Sequence, residues 1–240
     1  MSMVIDFHSH VLPGIDDGSA SLEESIAMLR QESEQGIGHV VATPHFYGSR
    51  DNLDRFLERR AESVQLLREE TEKHTGLPGL SVGAEVHFFT GISESRQIAN
   101  LTISGTEYIM IEMPHGPWTD SMYRELEQIY VKQGLVPILA HLDRYLNRFR
   151  AHSVFKNLEL LPVLVQANGS FFLNKATSAW AMRLLKKGKI HLLGSDCHNL
   201  TSRKPNLGLT VQAIEKSLGE DAVSGIMENG QEVLFGPKNA

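Results

Sequence analysis

The chain has almost no cysteine: one in 240 residues, Cys197. No internal disulfide can form, and a structural zinc site built from clustered thiolates is excluded with it. Long apolar runs are also missing. No stretch approaches the roughly 18 apolar residues of a membrane span. Asp6, His8 and His10 interrupt the amino-terminal segment where a secretory leader needs its apolar centre. A cytoplasmic protein with no membrane span is the expectation. Basic residues are in the minority, 23 Lys and Arg against 29 Asp and Glu, for a formal net charge of −6. Nucleic acid is therefore excluded as the expected partner, because its phosphates call for a basic surface. Repeats, low-complexity tracts and linkers are absent as well.

What is present is an ordinary globular composition, 41% hydrophobic and 22% charged. A single α/β barrel commonly occupies roughly 200–250 residues, so one domain over residues 1–240 is expected. Strand and helix signals alternate throughout. Short apolar runs predict strands at residues 4–7, 39–43, 80–85, 108–112, 136–141, 161–167 and 191–196. Between them, Ser21 and Glu24 form a capping box before Leu22, Ile26 and Leu29, and Gly36 stands where that helix should stop. Further helices are predicted over residues 53–74, 122–133, 175–187 and 209–218. Seven strands alternating with helices give a parallel sheet, closed as a barrel or open and doubly wound.

In both architectures reactive groups collect at the carboxyl ends of the strands. Those ends carry His8 and His10, then His45, Glu85, Glu112, His141, and Asp196 with His198; Asp17 follows in the first loop. Only the sixth strand, ending Gln166-Ala167-Asn168, lacks an evident ligand. A lone buried histidine is more often a satisfied core residue than a ligand, but six of seven strand ends bearing His, Asp or Glu point to a polynuclear metal site. Imidazoles mixed with carboxylates suit Mn, Fe, Zn or Co, with Mg also possible. A carboxylate such as Glu85 can bridge two ions, and a water between them becomes hydroxide near neutral pH. If Asp17, Glu85, Glu112 and Asp196 all ligate three divalent ions, two positive charges remain in excess, which suits an anionic substrate. Arg144 and Arg203, placed just beyond His141 and His198, are candidates for gripping phosphate with their planar forks.

These pieces together resemble a known family. His8-Ser9-His10, Pro13-Gly14-Ile15-Asp16-Asp17-Gly18, Thr43-Pro44-His45, Glu85, Glu112-Met113-Pro114, His141-Leu142-Asp143-Arg144-Tyr145 and Ser195-Asp196-Cys197-His198-Asn199 are similar to the bacterial PHP-superfamily protein-tyrosine phosphatases of the CpsB/YwqE type. The resemblance implies a distorted (β/α)7 TIM-like barrel with three metal ions, often manganese. It implies that His8, His10, Glu85 and Asp196 hold the first ion, that Glu85 bridges to a second held by Glu112 and His141, and that Asp17, His45 and His198 hold the third. Arg144 and Arg203 match its phosphate-binding arginines. The implied substrate is phosphotyrosine on the tail of a bacterial tyrosine kinase that controls capsule or exopolysaccharide assembly, attacked by a metal-bound hydroxide.

Other readings remain open. A small-molecule phosphatase of the same superfamily, acting on a histidinol-phosphate-like ester, or a phosphodiesterase would use the same ligands. A regulator that keeps its ions only for stability is a different class. Cys197 and Arg203 also spell the Cys-x5-Arg pattern of phosphatases that work through a phosphocysteine. That pattern is set aside because no glycine lies between them to let backbone amides curl around a phosphate. Loop aromatics Phe46, Tyr47, Phe88, Phe89, Trp118 and Tyr145 are candidates for a phosphotyrosine pocket. His87 and His115 lie beside ligand-bearing strands without an assigned role. Oligomeric state is not encoded in any of these patterns.

Overall fold

A computed structural model describes residues 3–145 and 151–236. Nine parallel strand segments run through it: β1 Val4–Ser9, β2 Ile37–Ala42, β3 His45–Tyr47, β4 Gly79–Val82, β5 Glu85–His87, β6 Tyr108–Glu112, β7 Val136–Leu139, β8 Leu164–Asn168 and β9 Leu192–Gly194. They pair in two rows, β1-β2-β4 and β3-β5-β6-β7-β8-β9. The predicted third strand appears as two pieces, and the predicted second, which stops before Pro44, is followed by a further short piece, β3. Pro44, which has no N–H to give a ladder, separates β2 from β3, and Gly83-Ala84 separates β4 from β5. Hydrogen bonds cross the breaks, from Gly83 N to Ala42 O at 2.8 Å and from Glu85 N to Pro44 O at 3.0 Å. Counting each broken pair once leaves seven strands, the predicted number. β9 returns to β1 without a regular ladder, through the Ser9–Cys197 bridge and bonds from Asp196 N to His8 O and His10 N to Cys197 O.

The strands are apolar on both faces, as a parallel sheet covered by helices requires. Ile5, Phe7, Val41, Met110, Ile138 and Leu192 pack together, with Ile103 and Val233, in one cluster beneath the site. A larger cluster joins the other strand faces to the helices. α1 (Leu22–Glu34) begins as its sequence predicts: Ser21 Oγ accepts from Glu24 N at 3.3 Å. The returning bond of the box goes to Ala20 N rather than to the cap itself, at 3.0 Å. α2 (Leu53–Thr71), α3 (Asp120–Gln133), α6 (Ser178–Lys186) and α7 (Leu207–Leu218) lie where helices were predicted, with shifted ends.

Other elements had no periodic signal. α4 (Ala151–Leu158) and α5 (Gly169–Leu173) are short, and two 3-10 turns fill Ile92–Glu94 and Arg96–Leu101. α8 (Glu220–Phe235) was unpredicted because Gly225 and Gly230 interrupt its pattern. Gly230 has a packing reason: a Cβ there would stand 2.9 Å from Phe7 Cε2. Two predicted strands also end early. β7 stops at Leu139 and β9 at Gly194, and the residues that follow, His141 and Asp196, take positive φ of 33° and 54°. They are the only non-glycine residues with positive φ among those described. That conformation costs a β-carbon-bearing residue of order 1–3 kcal/mol, and such strain gathers at functional sites.

Candidate metal centre

All nine sequence-predicted ligands meet above the strand ends. Glu85, at the start of β5, is at the centre. Its Oε2 lies 3.2 Å from His8 Nε2, 3.4 Å from His10 Nε2 and 3.0 Å from His45 Nδ1. Its Oε1 lies 2.6 Å from His141 Nε2, which is 3.6 Å from Glu112 Oε1. Asp196 Oδ1 closes the inner side, 3.5 Å from His8 Nε2 and 3.6 Å from His10 Nε2. On the outer side Asp17 Oδ1 stands 3.4 Å from His45 Nε2 and 3.5 Å from His198 Nε2. His8, His10, Glu85, His141, Asp196 and His198 are buried, whereas Asp17 is 65% exposed. The centre is therefore walled on one side and open on the other.

These donors fit cations rather than one another. His8 Nδ1 faces Gln166 Oε1 and His10 Nδ1 faces Asp16 Oδ2, so each neutral ring carries its proton there and the two Nε2 lone pairs meet at 3.2 Å, which suits a cation between them. Glu85 Oε2, His45 Nδ1, His141 Nδ1 and His198 Nε2 are buried without a well-directed hydrogen bond despite their near neighbours. Atoms each about 2.0–2.2 Å from one ion stand roughly 3.0–3.6 Å from one another, which matches the observed separations. The side chains group around shared members: His8–Glu85–His141, His8–His10–Asp196, His45–Glu85–Glu112 and His10–Asp17–His45–His198.

Protons show the same demand for positive charge. Burial alone would lower His10, yet its hydrogen bonds to Asp16 and Glu85 raise it to about 10. His8 is also raised: burial opposes this, but Glu85 and Asp196 outweigh it. Burial pushes the Glu85 carboxyl up, and the charge of His8 with hydrogen bonds from His10, His141 and His45 carries it well below the usual range. His198 goes the other way, to about 4, through burial and the neighbouring His10.

A second layer of polar groups orients the ligands. Asp16 Oδ2 meets His10 Nδ1 at 2.8 Å and accepts from His45 N at 3.0 Å, leaving His10 Nε2 turned to the centre. The apparently empty end of β8 contributes here. Gln166 Oε1 accepts from His141 N at 2.6 Å and lies 3.3 Å from His8 Nδ1, while Asn168 Nδ2 donates to Asp196 Oδ2 at 2.9 Å. Such partners fix ring orientation and tautomer. His87 belongs to this layer too, with Nδ1 3.1 Å from Glu112 Oε2. Counting amides as well as acids and imidazoles at the strand ends would have found Gln166 and Asn168.

Both predicted arginines reach the centre. Arg144 Nη2 bonds Asp196 Oδ2, and Arg203 Nη2 donates to Asp196 Oδ1 at 2.7 Å. Two guanidinium groups on one carboxylate are spaced to grip one tetrahedral anion. Arg203 is held beside His198 by a turn in which Thr201, Ser202 and Arg203 donate their amides to Asn199 Oδ1. Those amides are thereby spent, so no phosphate cradle forms between Cys197 and Arg203. Cys197 is fully buried on the far side, with Sγ 3.8 Å from Glu32 Oε1, and burial with Glu32 and Asp6 pushes its thiol well up. Asp6 faces that side as well, because a register irregularity between Asp6 and Ser9 separates it from His8 and His10. Of the aromatics, Phe46 packs on Phe56 and Phe88 is buried in the core. Phe89 packs against the core from outside. Tyr47, beside His45, and Tyr145, beside His141 and Trp118, stand near the centre.

Comparison with known proteins decides the lineage. A family model described as capsular polysaccharide synthesis, CpsB/CapC, matches residues 4–235. The chain belongs to the CpsB/CapC family. It is 30% identical to the tyrosine-protein phosphatase YwqE of Bacillus subtilis, over 96% of this chain and 91% of that one. The tyrosine-protein phosphatase CpsB of Streptococcus agalactiae is 24% identical over 96% of this chain and 98% of its own. The fold of this CpsB/CapC member superposes on a solved structure with a TM-score of 0.85 at 24% identity, covering 99% and 96% of the two chains. That structure is described among those of YwqE and Streptococcus pneumoniae CpsB, "unique metal-dependent tyrosine phosphatases". No helix among the described residues is long and apolar enough to cross a membrane.

Proposed function

We propose that the chain, acting as one metallophosphatase domain over residues 1–240, is a metal-dependent protein-tyrosine phosphatase. The gathering of nine donor residues with Glu85 at their centre, beside two arginines sharing one carboxylate, carries this reading. Family membership and the names of its relatives support it. His8, His10, Glu85 and Asp196 would hold one ion; Glu85, Glu112 and His141 a second; Asp17, His45 and His198 a third. Manganese suits this donor set. Bound there, divalent ions supply Lewis acidity and an activated nucleophile.

The chain's own residues do the rest. Arg144 and Arg203 leave Asp196 to take the phosphoryl oxygens, holding the negative charge that grows as the ester breaks. Asn168 continues to satisfy Asp196 when they leave. The buried inner wall of His8, His10 and His141 keeps bulk water away from one side, and the exposed Asp17 edge admits the substrate. A phenol of pKa about 10 departs more readily than an alkoxide, so a strong proton donor is less essential for phosphotyrosine than for phosphoserine. We infer that the substrate is the phosphorylated tail of a cytoplasmic tyrosine kinase in capsule or exopolysaccharide synthesis.

The test is a panel of phosphotyrosine peptide, phosphoserine peptide and histidinol phosphate after chelation and after Mn2+ is restored. Metal-dependent turnover concentrated on phosphotyrosine is expected. Equal or greater turnover of histidinol phosphate would reassign the site to small-molecule hydrolysis.

A further inference from the structure

An open groove of about 630 Å³ leads away from the exposed side of the metal centre, where Asp17 and His45 form part of its wall. Its other wall carries Arg50, Arg55 and Arg59. All three side chains are exposed, and none has a carboxylate partner within ion-pair distance among the described residues. Arg55 and Arg59 are one helical turn apart on α2, a like-charge spacing that costs an isolated helix a few tenths of a kcal/mol.

The acidic groups of the groove are already engaged. Asp16 is against His10, Asp17 faces His45 and His198, and Asp51 Oδ2 accepts from Tyr47 N at 2.8 Å. Arg59 has a structural task, donating to Ile15 O at 2.6 Å and so bracing the Asp16-Asp17 loop. Arg50 and Arg55 have none. Arg50 Cζ sits 3.9 Å above the Tyr47 ring, and that ring is 5.5 Å from the His45 ring. A continuous path therefore runs from a ligand of the metal centre, across an aromatic face, to a free guanidinium.

We propose that this groove is a substrate subsite for carboxylate side chains flanking the phosphotyrosine, with Arg50 and Arg55 as the specificity-determining residues. The proposal rests on the phosphatase reading of the metal centre. An acidic flank would complement the two unpaired charges, and the peptide backbone would cross the groove beside Tyr47. Being exposed, these contacts favour encounter and binding rather than the chemical step, and salt weakens them.

The experiment compares free phosphotyrosine with phosphotyrosine peptides flanked by Asp and Glu, by Ala, or by Lys, using the Mn2+-loaded full chain. The unmodified protein should favour the acidic over the alanine-flanked peptide by roughly fivefold in kcat/KM, on the order of two exposed ion pairs. The preference should lie in KM and shrink with added salt. In the Arg50→Ala/Arg55→Ala variant it should vanish while free phosphotyrosine turns over as before, which also shows that the variant is folded. In Arg55→Glu the lysine-flanked peptide should gain. Equal rates on acidic and alanine-flanked peptides, with free phosphotyrosine still hydrolysed, would overturn the subsite alone. Failure of the unmodified protein on free phosphotyrosine would remove the phosphatase reading beneath it.

Discussion

Asp196 brings two of the site's tasks together in one residue. Its carboxylate faces His8 and His10 while both arginines and Asn168 bond it, and its backbone is held at positive φ. Burial would raise this carboxyl, but His8 and His10 keep it below its ordinary range. Arg144→Ala should therefore leave the fold intact and lower kcat/KM on a phosphotyrosine peptide by about 10²–10³, the size of losing one directed donor to a developing oxyanion. Arg144→Lys should recover little, since an ammonium cannot present the same planar fork. A melting curve beside the kinetics separates this loss from unfolding. Asp16→Asn should act one layer out, weakening metal affinity by roughly 10–100-fold through a loosened His10. Titrating Mn2+ into the chelated variant measures it.

Glu32 illustrates a buried acid of the opposite kind. It is fully buried beside Asp6, and Oε2 has no hydrogen-bond partner. Burial first, then the charge of Asp6, raises its pKa well above the ordinary 4.5. The folded state thus holds a proton that the unfolded chain gives up, so stability is greatest below pH 4.5 for this group and falls as pH rises toward its folded pKa. Glu32→Gln should make the melting temperature less sensitive to pH between about 5 and 8. Identical slopes for the two proteins would contradict the assignment.

At the scale of elements, sequence and structure agree most where a side chain both forms the element and serves the site. The end of β6 was legible because its apolar run stops at Glu112, which faces the centre. The turn at His141 and the left-handed Asp196 were not, because the predicted strands 136–141 and 191–196 continue past the points where the backbone kinks. Cys197 turns away from the metal ligands where the backbone takes positive φ at Asp196. β8 was read as empty because amides are poor ligands, although Gln166 and Asn168 tie His141 and Asp196 in place. α8 was hidden by Gly225 and Gly230, of which Gly230 packs closely on Phe7. Gly230→Ala should lower stability by about 1–3 kcal/mol by pressing on Phe7, with little change in metal affinity. Denaturant unfolding and a metal titration together check both halves.

For the whole molecule, a net charge of −6 hides a local concentration of acids and imidazoles that protons satisfy when ions do not. Below about pH 10, His10 of the chelated protein is protonated, and a metal needs it neutral. Metal affinity should therefore fall as pH drops from 8 to 6, and loading should release protons. Calorimetry in buffers of different ionisation enthalpy would count them.

The most direct measurement is phosphotyrosine-peptide turnover by the unmodified protein and by Cys197→Ser, each before chelation, after chelation and after Mn2+ is restored. Activity that disappears on chelation, returns with the metal and is the same in both proteins is the expected result. Activity that survives chelation but is lost in Cys197→Ser would contradict it, placing the chemistry on the cysteine and not on Glu85 and the eight residues around it.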